Sequence, residues 1–115
     1  MAAPYPLPEP LVPLIAERFR ALGEPMRIRL LDALREGEAT VGELAERLAT
    51  SQQNVSKHVG VLVANGMVER EKQGTAVRCR IADSSVFDLC EVVCDGLARR
   101  VAEVQDALAP QAAAR

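Results

Sequence analysis

At Asn65-Gly66 the hydrophobic period of the chain changes. Before it, apolar residues recur at helical spacing; after it, in "MVEREKQGTAVRCRI", they alternate. The switch follows two short helical patterns separated by a tight turn, which leaves few folds open. In the first pattern, "TVGELAERL", Thr40 and Glu43 form a capping box, and Val41, Leu44, Ala45 and Leu48 follow at i, i+3, i+4, i+7. Ala49-Thr50 is the turn. The second, "SQQNVSKHVGVLVANG", begins at Thr50 or Ser51 and offers Val55, Val59 and Leu62 as its buried stripe. The alternating stretch reads as two strands around Gln73-Gly74, with Val77, Cys79 and Ile81 facing one way and Arg78 and Arg80 the other. Helix, tight turn, helix and hairpin together make a helix-turn-helix with a β wing.

The flanking sequence completes a mainly α chain with a small β-hairpin. Residues 1–10, with Pro4, Pro6, Pro8 and Pro10, read as an extended Pro-rich arm. A first helix over 11–22 is closed by Gly23. A second, about 25–35, has Pro25 in its first turn and Ile28, Leu31 and Leu34 on one side. A last helix runs from Asp83-Ser84-Ser85 to about Leu108, and residues 109–115 form a flexible tail. Residues 11–108 are thus one domain, a size that 115 residues allow. With no Trp, one Tyr and two Phe, its core is aliphatic. Such a small core gains from being shared in a dimer. The prolines interrupt any apolar leader, no stretch is long enough to cross a bilayer, and three irregularly spaced Cys suit reduced thiols. A cytoplasmic protein without a membrane partner is expected.

The second helix of the pair carries the chemistry. Ser51, Gln52, Gln53, Asn54, Ser56 and Lys57 occupy its first turns, away from the aliphatic stripe. In a helix-turn-helix that end meets base edges in the major groove, where Gln and Asn pair bidentately with adenine and Ser or Lys reaches bases or phosphates. Arg70, Lys72, Arg78 and Arg80 on the hairpin are candidates for a flanking minor groove or the backbone, and Arg27 and Arg29 for phosphates. The net charge of −2 excludes a generally basic binder but not a local basic surface. A merely solvated face is the alternative for a polar helix side. The turn before it and the Arg-bearing hairpin after it favour double-stranded DNA as the partner. His58, the only histidine, suits a structural or phosphate-contacting role, since no second His completes a metal site. No Ser/His/Asp, Cys/His or phosphate-loop arrangement suggests an enzyme.

The blocks "FRALGEPMRIRLLDAL", "TVGELAERL" and "SQQNVSKHVGVLVANGMVEREKQGTAVRCRI" resemble consecutive blocks of the ArsR/SmtB-type winged-helix repressors, over roughly residues 15–105. The resemblance implies a homodimer, a dyad-symmetric operator, and repression altered by a small effector. The chain departs from the family at the effector sites. The Cys-x-Cys of arsenic sensors is absent from "TVGEL". Of the zinc site on the last helix, Asp83 remains, Ser85 replaces a His, and positions around Gly96 and Arg99 carry none. No standard family metal site is complete.

Thiols on the last helix remain. Phe87, Cys90, Cys94, Leu97, Val101, Val104 and Leu108 repeat at alternating three and four spacing, a heptad-like seam. With Leu14, Ile15 and Phe19 of the first helix it forms the expected dimer interface. Cys90 and Cys94 are i, i+4, so their side chains are neighbours about 5–6 Å apart. They either pack the seam or hold a transition-metal or metalloid ion, with Cys79 or the partner chain supplying a third ligand. Cys79 itself alternates with core residues. Asp88, Glu91 and Asp95 share a face that is either solvated or a site for a hard ion or nickel. Control through a co-regulator protein is the alternative to a sensor within the chain.

Overall fold

The computed structural model describes residues 2–113, which fall into two compact units divided between Asp83 and Ser84. The first contains α1 (Leu11–Leu22), α2 (Pro25–Leu34), β1 (Ala39–Thr40), α3 (Val41–Arg47), α4 (Gln52–Ala64), β2 (Val68–Gln73) and β3 (Ala76–Ile81). The second is α5 (Ser85–Ala113).

Local chemistry sets most boundaries. Thr40 Oγ1 accepts from Glu43 N while Glu43 Oε1 accepts from Thr40 N, both at 3.1 Å, so the capping box opens α3 as read. α3 ends in a reversal in which Thr50 N donates to Ala45 O. Ala49 takes φ 54 there, a left-handed conformation that costs a non-glycine residue about 1–2 kcal/mol. Ser51 Oγ then accepts from Asn54 N at 3.0 Å and caps α4. α4 closes the same way: Met67 N donates to Leu62 O, with Gly66 at φ 70.

The core lies between α2, α3, α4 and the sheet. Leu30, Leu31, Leu34, Leu44, Val55, Val59, Leu62, Met67, Val68 and Cys79 are all buried. Ile28 is instead 47% exposed. It lies about 120° round the helix from Leu34, while Leu30 and Leu31 flank that residue.

Two expectations need correction. The expected hairpin is part of a three-stranded antiparallel sheet, order β1-β3-β2. β1 pairs Ala39 with Cys79 and Thr40 with Arg78. A two-residue strand has no period to detect in the sequence. The β2–β3 register runs from Val68↔Ile81 to Gln73↔Ala76, so the two-residue loop is Gly74-Thr75, with Gly74 at φ 63. The second correction concerns the tail. α5 runs past Leu108 to Ala113, through the unfavourable Pro110 and among residues, Gln and Ala, that favour helix. Residues 114–115 of that tail lie outside the described residues, as does Met1. Among the described residues no helix is long and apolar enough to cross a membrane.

Candidate nucleic-acid interface

α4 buries Val55, Val59 and Leu62, which turns Gln53, Ser56, Lys57 and Gly60 outward at i, i+3, i+4, i+7. Gln52, Gln53, Ser56 and Lys57 are exposed, and their side chains make no hydrogen bond among the described residues. Residues 48–68 contain no Asp or Glu, so no carboxylate from the helix or its flanking turns competes for a partner there.

Three other residues of the expected reading set are committed to the fold. Ser51 is the cap. Asn54 is half-buried and its Nδ2 donates to Thr50 Oγ1 at 3.0 Å, holding the turn rather than projecting outward. His58 is buried at 7% exposure. Its Nδ1 lies 3.1 Å from Arg27 Nη1 and 3.8 Å from Glu24 Oε2. The physical reason is angular: His58 is i+3 from Val55 and i−4 from Leu62, so it shares their inward side. Arg27, expected at a phosphate, also donates to the carbonyls of Ala21 and Arg20. Burial alone would raise the Glu24 carboxyl. The backbone N–H groups of Arg27 and Met26 and the nearby Arg27 guanidinium outweigh it and hold the pKa low. Arg29 remains exposed.

The sheet register sorts the four cationic wing residues onto two faces. Opposed residues share a face, so Arg70 and Lys72 go with Cys79 and Val77, while Arg78 and Arg80 go with Glu71 and Glu69. Arg80 is engaged there at 2.9 Å with Glu69 and 3.3 Å with Glu71. The carboxylates of Glu71 and Glu69 hold its proton more tightly than usual. Arg78 is half-buried and its Nε donates to Gln73 Oε1 at 3.1 Å. The four candidates for a flanking groove or the backbone are thus divided between two faces, and Arg78 and Arg80 already have partners. Arg70 and Lys72 are exposed and unpaired among the described residues.

A cleft of about 270 Å³ is lined by Gln52 and Ser56 of α4, Thr75 and Val77 of the wing, and Thr40 and Gly42. Sequence reading missed Thr75 and Gly60. At Gly60 an added Cβ would stand 3.6 Å from Arg70 Nη1, so the guanidinium of a β2 residue lies over the outward face of α4. The only local signal was a glycine inside a helix.

Comparison with known proteins follows the same outline. The family described as "Helix-turn-helix domain" matches residues 22–71, from the end of α1 into β2. The uncharacterised HTH-type regulator Rv0081 of Mycobacterium tuberculosis is 38% identical over 103 residues, covering 85% of this chain and 90% of the relative. The repressor SmtB of the same organism is 37% identical over 95 residues, 83% of this chain and 68% of that one. The chain belongs to the ArsR/SmtB-type family of winged helix-turn-helix transcriptional regulators. The crystal structure of Rv0081 superimposes with a TM-score of 0.73 at 36% identity, over 84% of this chain and 97% of that one. The solution structure of the homodimeric winged helix-turn-helix DNA-binding domain Mb0332 from Mycobacterium bovis gives 0.70 at 28% identity, over 87% and 95%.

The effector candidates of this ArsR/SmtB-type chain separate clearly. Cys79 is fully buried in the sheet, and burial pushes its thiol pKa up, with Arg70 opposing weakly. It is not a ready thiolate ligand. Cys90 is half-buried and Cys94 exposed on α5. Among the described residues no group of three or more His, Cys, Asp or Glu is placed to hold a metal ion. Leu97, Val101, Val104 and Leu108 of α5 are each more than half exposed, as is Val93, which shares their stripe and which heptad counting passed over. Phe87 is half-buried. On α1, Ile15 and Phe19 lie one turn apart and are 36% and 56% exposed. Leu14 is 65% exposed about 100° round the helix from Ile15.

Proposed function

We propose that this chain is a homodimeric, sequence-specific DNA-binding repressor that inserts α4 into the major groove of a dyad-symmetric operator. The carrying observation is the open, acid-free outward face of α4, with Gln53, Ser56 and Lys57 uncommitted to the fold. Gln53 has the donor and acceptor pair that matches adenine, and Lys57 has the charge that a phosphate or guanine attracts. The cleft beside Ser56 would admit one sugar–phosphate strand against Thr75. Dimerisation draws support from the exposed stripe on α5, since monomers rarely leave so long an apolar row uncovered. The relative SmtB is named a repressor and Mb0332 is homodimeric. Work on DNA with reduced thiols at hand fits the cytoplasm. The reading assigns the chain no chemistry beyond binding.

Effector response belongs to the same proposal. Cys90 and Cys94, on adjacent turns of the exposed α5 stripe, are the thiols open to a soft ion or an oxidant. Among the described residues no three such donors come together, so a metal at these thiols would draw further ligands from a second copy. A separate co-regulator protein is the alternative sensor.

The test is titration of duplexes selected by the protein from a random pool. Gln53→Ala should relax the selected preference, and Lys57→Ala should weaken binding. Unchanged preference and affinity in both would end the reading of α4. Cys90→Ser with Cys94→Ser should leave DNA binding intact and abolish release by the effective inducer. Normal release of that double variant would reduce both residues to packing.

A further inference from the structure

α4 lacks arginine, the side chain best suited to a guanine edge. We infer that Arg70 of β2 supplies it: its guanidinium, lying over Gly60, reads a guanine in the major groove as a member of the α4 reading face. The inference rests on the proposed insertion of α4 and adds a second base-reading residue, from outside the helix.

Four observations carry it. Gly60 is i+7 from Gln53 and i+4 from Ser56, so it occupies the outward face and leaves a gap there. The gap is filled by Arg70 Nη1, which would stand 3.6 Å from a Cβ at that position. Arg70 pairs in register with Cys79, which sets it on the sheet face opposite to Glu69 and Glu71. Arg80 takes both of those carboxylates, and Arg70 has no ion pair among the described residues. A guanidinium held between two regular elements, with its donors open, is suited to forked recognition of O6 and N7. Gly60 lies about 10 Å along α4 from Gln53, some three base-pair steps. The two residues should therefore read separate positions in each half-site. This is a different role from a wing arginine on a flanking phosphate, which would carry no sequence preference.

The experiment compares full-length wild type, Arg70→Ala, Arg70→Lys and Gln53→Ala on duplexes selected by the wild type, with every position of one half-site substituted in turn. Arg70→Ala should lose preference for guanine at one position by roughly 5–150-fold and keep the preferences elsewhere. Arg70→Lys should restore it only in part, because an ammonium lacks the planar fork of a guanidinium. Uniform weakening on all duplexes, with a salt slope smaller by about one per protomer and no change in base preference, would show a phosphate contact and overturn the inference. So would no effect at all. Gln53→Ala separates the two levels. If it relaxes a position while Arg70→Ala does not, only this inference fails; if neither moves any preference, the insertion of α4 fails as well.

Discussion

Arg27 Nη1 and His58 Nδ1 lie 3.1 Å apart, joining the start of α2 to the middle of α4. A guanidinium only donates, so Nδ1 accepts and the ring carries its proton on Nε2. The same guanidinium donates to the carbonyls of Ala21 and Arg20 at the end of α1. One side chain thus fixes the α1–α2 corner against the reading helix.

Arg27→Ala should destabilise the fold by about 1.5–3 kcal/mol, the range for hydrogen bonds to a charged group. His58→Gln should retain most of the stability, since its amide oxygen can accept from Arg27, whereas His58→Leu should not. Urea unfolding of the three variants checks this. Wild-type stability of Arg27→Ala, with a reduced salt slope on DNA, would instead make Arg27 a phosphate contact.

Acid should act through the capping box. Thr40→Ala should cost about 0.5–2 kcal/mol at neutral pH. The backbone N–H and then the hydroxyl of Thr40 hold the Glu43 carboxyl below its ordinary pKa, with smaller help from Arg78 and Arg47. A depressed carboxyl stabilises the fold fully above the unfolded-state value, about 4.3, and loses that contribution as pH falls through the lower folded-state value. The gap in urea midpoint between wild type and Glu43→Ala should therefore narrow in acid. A gap that stays constant from pH 7 to pH 3 would rule this out.

Two residues of the expected DNA-contacting set should behave unlike the others. Asn54→Ala should lose about 0.5–1.5 kcal/mol of stability with the Thr50 hydrogen bond, and leave sequence preference unchanged. Arg80→Ala should change stability by no more than about 1 kcal/mol, because its ion pairs are partly exposed. It should weaken DNA binding only modestly, by uncovering Glu69 and Glu71, and that effect should fade as salt rises. A base preference altered by either substitution would contradict the assignment.

The apolar stripe of α5 gives a prediction about assembly. Glu introduced at both Leu97 and Val101 should yield a monomer by light scattering at micromolar concentration. The helical content of the 1–83 unit should survive. A dimer of undiminished strength would place the interface elsewhere.

What the sequence disclosed was local. The cap at Thr40, the stops at Gly23 and Gly66, and the change of period at 66 are short-range chemistry and could be read directly. The start of α4 is open between Thr50 and Ser51 in the sequence, and the structure gives Ser51. The buried place of His58 was also written in its spacing from Val55 and Leu62, but residue type outweighed angle. Arg80 could not be assigned without register, because only the pairing of Glu69 with Arg80 shows its carboxylates to be across the strand. The meeting of Arg70 with Gly60 joins a strand to a helix across the fold, and no periodicity within either element announces it. Ala39–Thr40 is too short for any pattern, and it is recognised only through its partners Cys79 and Arg78.

Thr40 does two things at once: it closes the outer strand of the sheet and caps α3. The wing and the helix pair are therefore welded at one residue, with no free hinge at that join. Loss of the Thr40 side chain should therefore be felt in α3 and in the outer strand alike. The 1–83 unit behaves like a printing stamp, whose raised type cannot be rearranged in use. In the proposed homodimer, control would act on how a second stamp is spaced beside the first.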